Sequence, residues 1–127
     1  MQLDRIHISL SDQQLVGYAE GQVVCRYAVS TALNGAGEAE GSGCTPRGRH
    51  RIRARIGEGQ PCGAVFIGRR PTGEVWSPEL AATFPLRDWI LSRILWLCGE
   101  EPGFNRGGDV DSQRRYIYIH GTGDDQP

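Results

Sequence analysis

Arg5-Ile6-His7-Ile8-Ser9-Leu10, followed by Gln14-Leu15-Val16-Gly17-Tyr18-Ala19 and then by Gln22 to Ser30, is the stretch that decides the fold class. In the first segment Ile6, Ile8 and Leu10 fall on one side and His7 and Ser9 on the other. A period of two belongs to an extended chain, not to a helix. Glu20-Gly21 supplies a turn before the third segment, where Val23, Cys25, Tyr27 and Val29 alternate with Val24, Arg26 and Ala28. The opening of the chain therefore reads as a β-meander.

Strand-like patterning continues downstream. Asn34 to Gly43 is rich in glycine and glutamate and has no apolar periodicity, which predicts an exposed, mobile loop closed by the turn Thr45-Pro46-Arg47-Gly48. His50 to Ile56 alternates again. His50, Ile52, Ala54 and Ile56 lie on one side, and Arg49, Arg51, Arg53 and Arg55 form a row on the other. Ala64 to Gly68 predicts a short buried strand. Pro85 to Cys98 is read as the one helix, because Trp89 and Trp96 stand seven apart and share a helical face with Ile90, Ile94 and Leu97. Asp88 is placed to cap it, and Gly99 and Pro102 to stop it. After an irregular loop over Glu101 to Ser112, Arg115 to His120 alternates Tyr116, Tyr118 and His120 against Ile117 and Ile119 and predicts the last strand. The expectation is a single mainly-β domain over residues 1–127 with one short helix.

Composition bounds the function. At 127 residues and 14.0 kDa the chain has room for one modest core. Its net charge of −1 and pI of about 6.3 lack the basic footprint of a general nucleic-acid or anionic-membrane binder. All 14 basic residues are arginine, so lysine Schiff-base chemistry is excluded. No apolar run approaches the roughly 20 residues of a membrane span, and no signal peptide is visible at the N-terminus. Cys25, Cys44, Cys62 and Cys98 are widely separated with no C-x-x-C pair, against a zinc or thioredoxin-like site.

The candidates for chemistry each carry two readings. His120 ends a strand and enters Gly121-Thr122-Gly123, where it could present an imidazole to a substrate or serve as a hydrogen-bonded structural group. His7 and His50 read as structural or solvated. Cys25 and Cys98 read as small buried hydrophobes, Cys62 sits in a turn with no evident partner, and Cys44 is the most exposed of the four by sequence context. The arginine row is either an anion-reading surface or a solvated strand face. Gly57-Glu58-Gly59 leads into a strand and so lacks a dinucleotide cradle, and Asp109-Val110-Asp111 reads as a polar turn. The tryptophans are core, or else line a groove for a sugar or peptide.

Five segments then fall in a recognisable order: Val29-Ser30-Thr31, Thr45-Pro46-Arg47-Gly48, Asp88-Trp89-Ile90-Leu91-Ser92-Arg93-Ile94-Leu95-Trp96-Leu97, Glu101-Pro102-Gly103-Phe104-Asn105-Arg106, and Tyr116-Ile117-Tyr118-Ile119-His120-Gly121-Thr122. Together they resemble the L,D-transpeptidase catalytic domain (YkuD-type) over nearly the whole chain. The resemblance implies a β-sandwich and a peptidoglycan-modifying enzyme. In that family a cysteine attacks a stem peptide ending in meso-diaminopimelate and D-alanine, D-alanine leaves, and an amine resolves the thioester. It implies peptidoglycan stem peptides as partners, acylation of the complete enzyme by carbapenem-type β-lactams, no cofactor or metal, and a cell-envelope or periplasmic setting, with a cytoplasmic one left open by the absence of an export signal. By resemblance His120 is the first histidine of the family signature and lines the substrate site with Gly121 and Thr122. The Ser-His-Gly-Cys-(Ile/Val)-Arg motif that completes that signature has no counterpart in the 127 residues, and none of the four cysteines corresponds to it. The expectation is therefore a C-terminally truncated, inactive piece whose nucleophile and its histidine lie downstream of Pro127. The alternative is a non-catalytic module that binds wall peptides.

Overall fold

The computed structural model describes residues 3–122 and carries two antiparallel sheets. The first is the expected meander, β1 (Arg5–Ser9), β2 (Gln14–Ala19) and β3 (Gln22–Ala28), in that spatial order. Leu15, Val16 and Ala19 of the central strand are buried, whereas Val23, Val24 and Tyr27 of β3 stay exposed. A register shift at Gly17/Tyr18 bends this sheet, and Gly17 lies against the Cys25 thiol and the Leu3 side chain, where a Cβ has no room.

The second sheet comprises β4 (His50–Ile56), β5 (Ala64–Ile67), β6 (Arg70–Val75), β7 (Ile90–Gly99) and β8 (Tyr118–Gly121). Its centre is β7. Ile94 pairs with Ile56 of β4 on one side and His120 of β8 on the other, and Leu91 pairs with both Val65 of β5 and Gly121. Since a residue has one neighbour per edge, β4 and β5 lie end to end along one edge of β7, and β8 runs along the opposite edge.

This arrangement corrects the expected helix over Pro85 to Cys98. Ile90–Gly99 is a ten-residue strand. A strand with neighbours on both edges and side chains covered on both faces reads as a near-continuous apolar run, so the alternation that identified β1 and β4 is erased. The Trp89–Trp96 spacing matched a helical face by coincidence. Among the described residues the one short α-helix lies earlier, α1 at Pro78–Thr83, started by the Ser77 side chain accepting from Leu80 N–H and by a proline in its first turn. The last strand is also shorter than expected. Ser112 to Tyr116 are turns, Tyr116 has a φ of 57°, and the ladder begins at Tyr118.

The faces of the sheet carry separate cores. Ala64, Phe66 and Ile94, with Ile56, Ile90 and Tyr118 against them, form one. Val65, Trp89 and Leu91 form the other, covered by Trp76 and by Leu80 and Ala81 of α1. Neighbouring residues Ala64, Val65 and Phe66 thus point into opposite cores, as an extended chain requires.

The loop over Asn34 to Gly43, expected to be mobile, is anchored at several points. The Arg115 guanidinium donates to the carbonyls of Gly37 and Cys44, Glu40 N–H donates to Asp109 O, and Asn34 Nδ2 donates to Ser42 O. Glu38 receives both the Arg47 side chain at 2.9 Å and its backbone N–H at 3.1 Å. The Arg47 guanidinium beside it holds the Glu38 carboxyl below the usual carboxylate range. The Arg114 and Gly107 backbone N–H groups do the same for Asp111. A carboxyl whose pKa is lower folded than unfolded adds stability above the unfolded value of about 4, and loses it as pH falls through the folded value. Chemical unfolding is therefore expected to show lower stability at pH 3 than at pH 7, with a smaller drop in a Glu38→Gln, Asp111→Asn double variant. An undiminished drop in that variant would overturn the assignment.

Candidate functional site

His120 is exposed on β8 directly beside Ile94 of the central strand. Its Nδ1 lies 2.7 Å from Gly121 O. A carbonyl only accepts, so Nδ1 carries the proton, and in the neutral ring the free lone pair is on Nε2. The strand end thus fixes the tautomer as well as the position. Gly121 is held flat against β7, where a Cβ would meet Leu91 O at 2.7 Å and Ser92 Oγ at 3.4 Å. Thr122 follows, exposed. The three residues singled out from the sequence therefore occupy one corner at the end of β8.

Opposite them, β7 is broken by a register shift between Leu91 and Ile94, and Ser92 adopts a φ of 68°. Its hydroxyl accepts from Gly63 N–H at 2.8 Å and lies 3.9 Å from Cys62 Sγ. Cys62 is thus brought towards the same corner through Ser92, a neighbour thirty residues away that the sequence does not disclose. It is also the exposed cysteine. Cys44, expected to be the most accessible, is half-buried, with its thiol turned to Asn34 O at 3.4 Å. That correction follows from the anchored loop. Cys25 is half-buried on β3, Cys98 is buried at the far end of β7, and all four are free thiols. None hydrogen-bonds to a histidine among the described residues.

The other histidines have plainer settings. His7 is exposed on β1. His50 is half-buried, with Nδ1 3.1 Å from Gly48 O and Nε2 2.8 Å from Ser112 Oγ, so both ring nitrogens are satisfied by structure. The arginine row alternates as expected, with Arg51, Arg53 and Arg55 outward and Ile52, Ala54 and Ile56 turned in. Trp89 is core. Trp96 is half-buried and forms the floor of an aromatic group. Tyr118 meets it edge-on at 6.1 Å and Tyr116 lies tilted at 6.0 Å. The Arg69 guanidinium sits 5.0 Å from both the Trp96 and Tyr116 ring centres and donates to Tyr118 Oη at 3.1 Å. The Tyr118 hydroxyl raises the Arg69 pKa further above its already high value, so that side chain stays cationic. A separate shallow concavity, at Asp4, Arg5, Tyr18 and Gly21, is on the three-stranded sheet.

One supporting residue entered the sequence reading only as part of the Glu101 to Arg106 segment, with no role of its own. Asn105 is fully buried, accepts from Glu101 N–H at 2.9 Å, and donates to Arg47 O and Arg49 O at 3.0 Å each. The Glu101 carboxylate caps Arg49 N–H at 2.7 Å beside it. Gly48, with a φ of 90°, leaves the space that Glu101, Phe104 and Asn105 fill. Two separate segments, Thr45 to Gly48 and Glu101 to Arg106, are thereby locked into one unit at the start of β4.

Comparison with known proteins gives one match: the family model described as the L,D-transpeptidase catalytic domain (YkuD) aligns with residues 3–127. No curated protein and no solved structure matches significantly.

Proposed function

The chain belongs to the L,D-transpeptidase catalytic-domain family, and on that premise we propose that it is the scaffold and substrate corner of a peptidoglycan-modifying acyltransferase of the cell envelope. The observation that supports this most directly is His120, exposed, tautomer-fixed by Gly121 O, and adjacent to backbone that only glycine allows. Nε2 faces away from the protein's own acceptor and is the atom available to a donor peptide. The glycine at the next position lets the end of β8 lie close against Leu91 and Ser92 of β7, which fixes where His120 is presented.

The reaction is acyl transfer. A cysteine thiolate adds to the carbonyl carbon of the peptide bond that precedes the terminal D-alanine. The C–N bond breaks, the departing amine takes up a proton, and D-alanine leaves behind a thioester. An acceptor amine then attacks the thioester, loses a proton, and releases the thiol. His120 and Gly121 hold the donor peptide during these steps. The settings of Cys25, Cys44, Cys62 and Cys98 support placing the nucleophile in a segment other than these, because a nucleophilic cysteine needs a base within hydrogen-bond reach. Carbapenem-type β-lactams, which acylate such a thiolate, are the expected inhibitors.

The test is made on the protein expressed from its full gene. D-Alanine release is measured from a tetrapeptide stem ending in meso-diaminopimelate and D-alanine, together with intact mass after incubation with a carbapenem. Release and a single covalent adduct are expected, and His120→Ala should lower kcat/KM for release by about tenfold or more, as loss of a contact to the donor peptide implies, while the thermal transition is retained. If the wild-type protein binds the stem without release or adduct, it is a binding module instead. If His120→Ala releases D-alanine at the wild-type rate, the corner is misassigned.

A further inference from the structure

Two guanidinium groups lie near one indole, with no acid paired to either among the described residues. Arg69 lies 5.0 Å from the Trp96 ring centre and Arg53, from the bulged part of β4, lies 5.8 Å from it. The ion pairs among the described residues are Glu38–Arg47 and Glu74–Arg87, so neither of these two arginines has a carboxylate partner there. Arg53 is exposed and Arg69 half-buried. A cation held against an aromatic face has surrendered part of its hydration and keeps donors free in the plane of its fork, which suits a carboxylate.

The backbone under Arg69 is a second, independent observation. Gly68 and Arg69 are the two central residues of the tight β5–β6 hairpin, between the paired Ile67 and Arg70, with φ values of 58° and 65°. A two-residue hairpin of this kind favours glycine at both positions. Arginine in the left-handed region brings its Cβ against the following carbonyl, a strain that persists only where the surroundings hold the residue. Here it puts the guanidinium between Trp96 and Tyr116 and onto the Tyr118 hydroxyl.

Tyr118 and His120 alternate along β8 and so share a face. They are about 7 Å apart along the strand, the span of two residues of an extended peptide. We propose that Arg69, supported by Arg53 over Trp96, binds the C-terminal carboxylate of a peptide lying along β8 with its preceding peptide group at His120. The choice of a peptide as the anion rests on the acyltransferase reading. The site itself rests on the two arginines.

The experiment uses the full-length protein and two probe pairs, N-acetyl-D-alanine and its amide by calorimetry, and the tetrapeptide stem and its C-terminal amide in the D-alanine (or D-alanine amide) release assay. Each acid should be preferred over its amide by about tenfold or more, as loss of one charge-assisted contact implies. In Arg69→Gln that preference should collapse, and in Arg53→Gln it should shrink. Arg69→Gly is the folding control, because glycine takes a φ of 65° freely. It should lose the preference with its thermal transition intact. An acid preference unchanged in Arg69→Gln and Arg69→Gly overturns the site, even if the stem is turned over and the acyltransferase reading holds. Arg69-dependent binding of N-acetyl-D-alanine with no release from the stem keeps the site and removes the acyltransferase reading. Arg69-dependent binding of a single-stranded oligonucleotide, with none of N-acetyl-D-alanine, would overturn the proposal in favour of a nucleic-acid surface.

Discussion

Asn105→Ala is expected to destabilise the domain by about 3 kcal/mol in urea or guanidinium unfolding, although the residue touches neither the His120 corner nor either apolar core. The side chain is fully buried and makes three hydrogen bonds, all to backbone. Alanine removes them at once. Arg49 O keeps a partner in Glu100 N–H, but Arg47 O and Glu101 N–H lose the bonds that satisfied them. Each such orphan costs about 1–3 kcal/mol when buried. Asn105→Asp sharpens the test, since a carboxylate has no hydrogen to give to the Arg47 and Arg49 carbonyls and would face both with negative charge. At pH 7 it should be at least as destabilising as alanine. The burial and the facing carbonyls disfavour the ionised form, so its folded pKa would lie above the unfolded one. The deficit should therefore shrink as the pH is lowered through that folded value. A loss below about 1 kcal/mol in Asn105→Ala would mean that the Thr45 to Gly48 and Glu101 to Arg106 segments are held together by something else.

Phe66→Ala should cost about 3–5 kcal/mol, a third or more of the stability of a typical domain. Phe66 is 1% exposed at the centre of the core formed with Ala64 and Ile94. The neighbouring backbone is fitted to it. Gly57 has a φ of 104°, and a Cβ there would lie 2.8 Å from the tip of the Phe66 ring. Truncating the ring leaves a cavity walled by paired strands, which cannot close without breaking the ladder between β5 and β7. Leu33→Ala is the matched control, because Leu33 is wholly exposed and its truncation should change stability by no more than about 0.5 kcal/mol. Similar losses in the two variants would contradict the core described above.

What the sequence determined by itself was everything that depends on local period and on composition. The meander over β1 to β3 and the alternation of β4 follow from residues that face solvent on one side and protein on the other. The family follows from five short segments in order, with His120, Gly121 and Thr122 in the last. The long apolar segment at β7 was not legible. A strand covered on both faces loses its two-residue period, and its tryptophan spacing fitted a helix equally well. The short β6 carries one apolar residue, Val75, and so no alternation, and α1, although it opens on Ser77 and Pro78, is six residues long, too short to show a helical period. The placing of Arg69 over Trp96, of Cys62 beside Ser92 and of Asn105 between two loops was decided by tertiary structure alone. Each depends on a positive φ or on a hydrogen bond between residues far apart in the chain, and neither leaves a period in the sequence. Local side-chain chemistry selects strands and turns. Which strands become neighbours, and so which side chains meet, is set only when the sheet closes around β7.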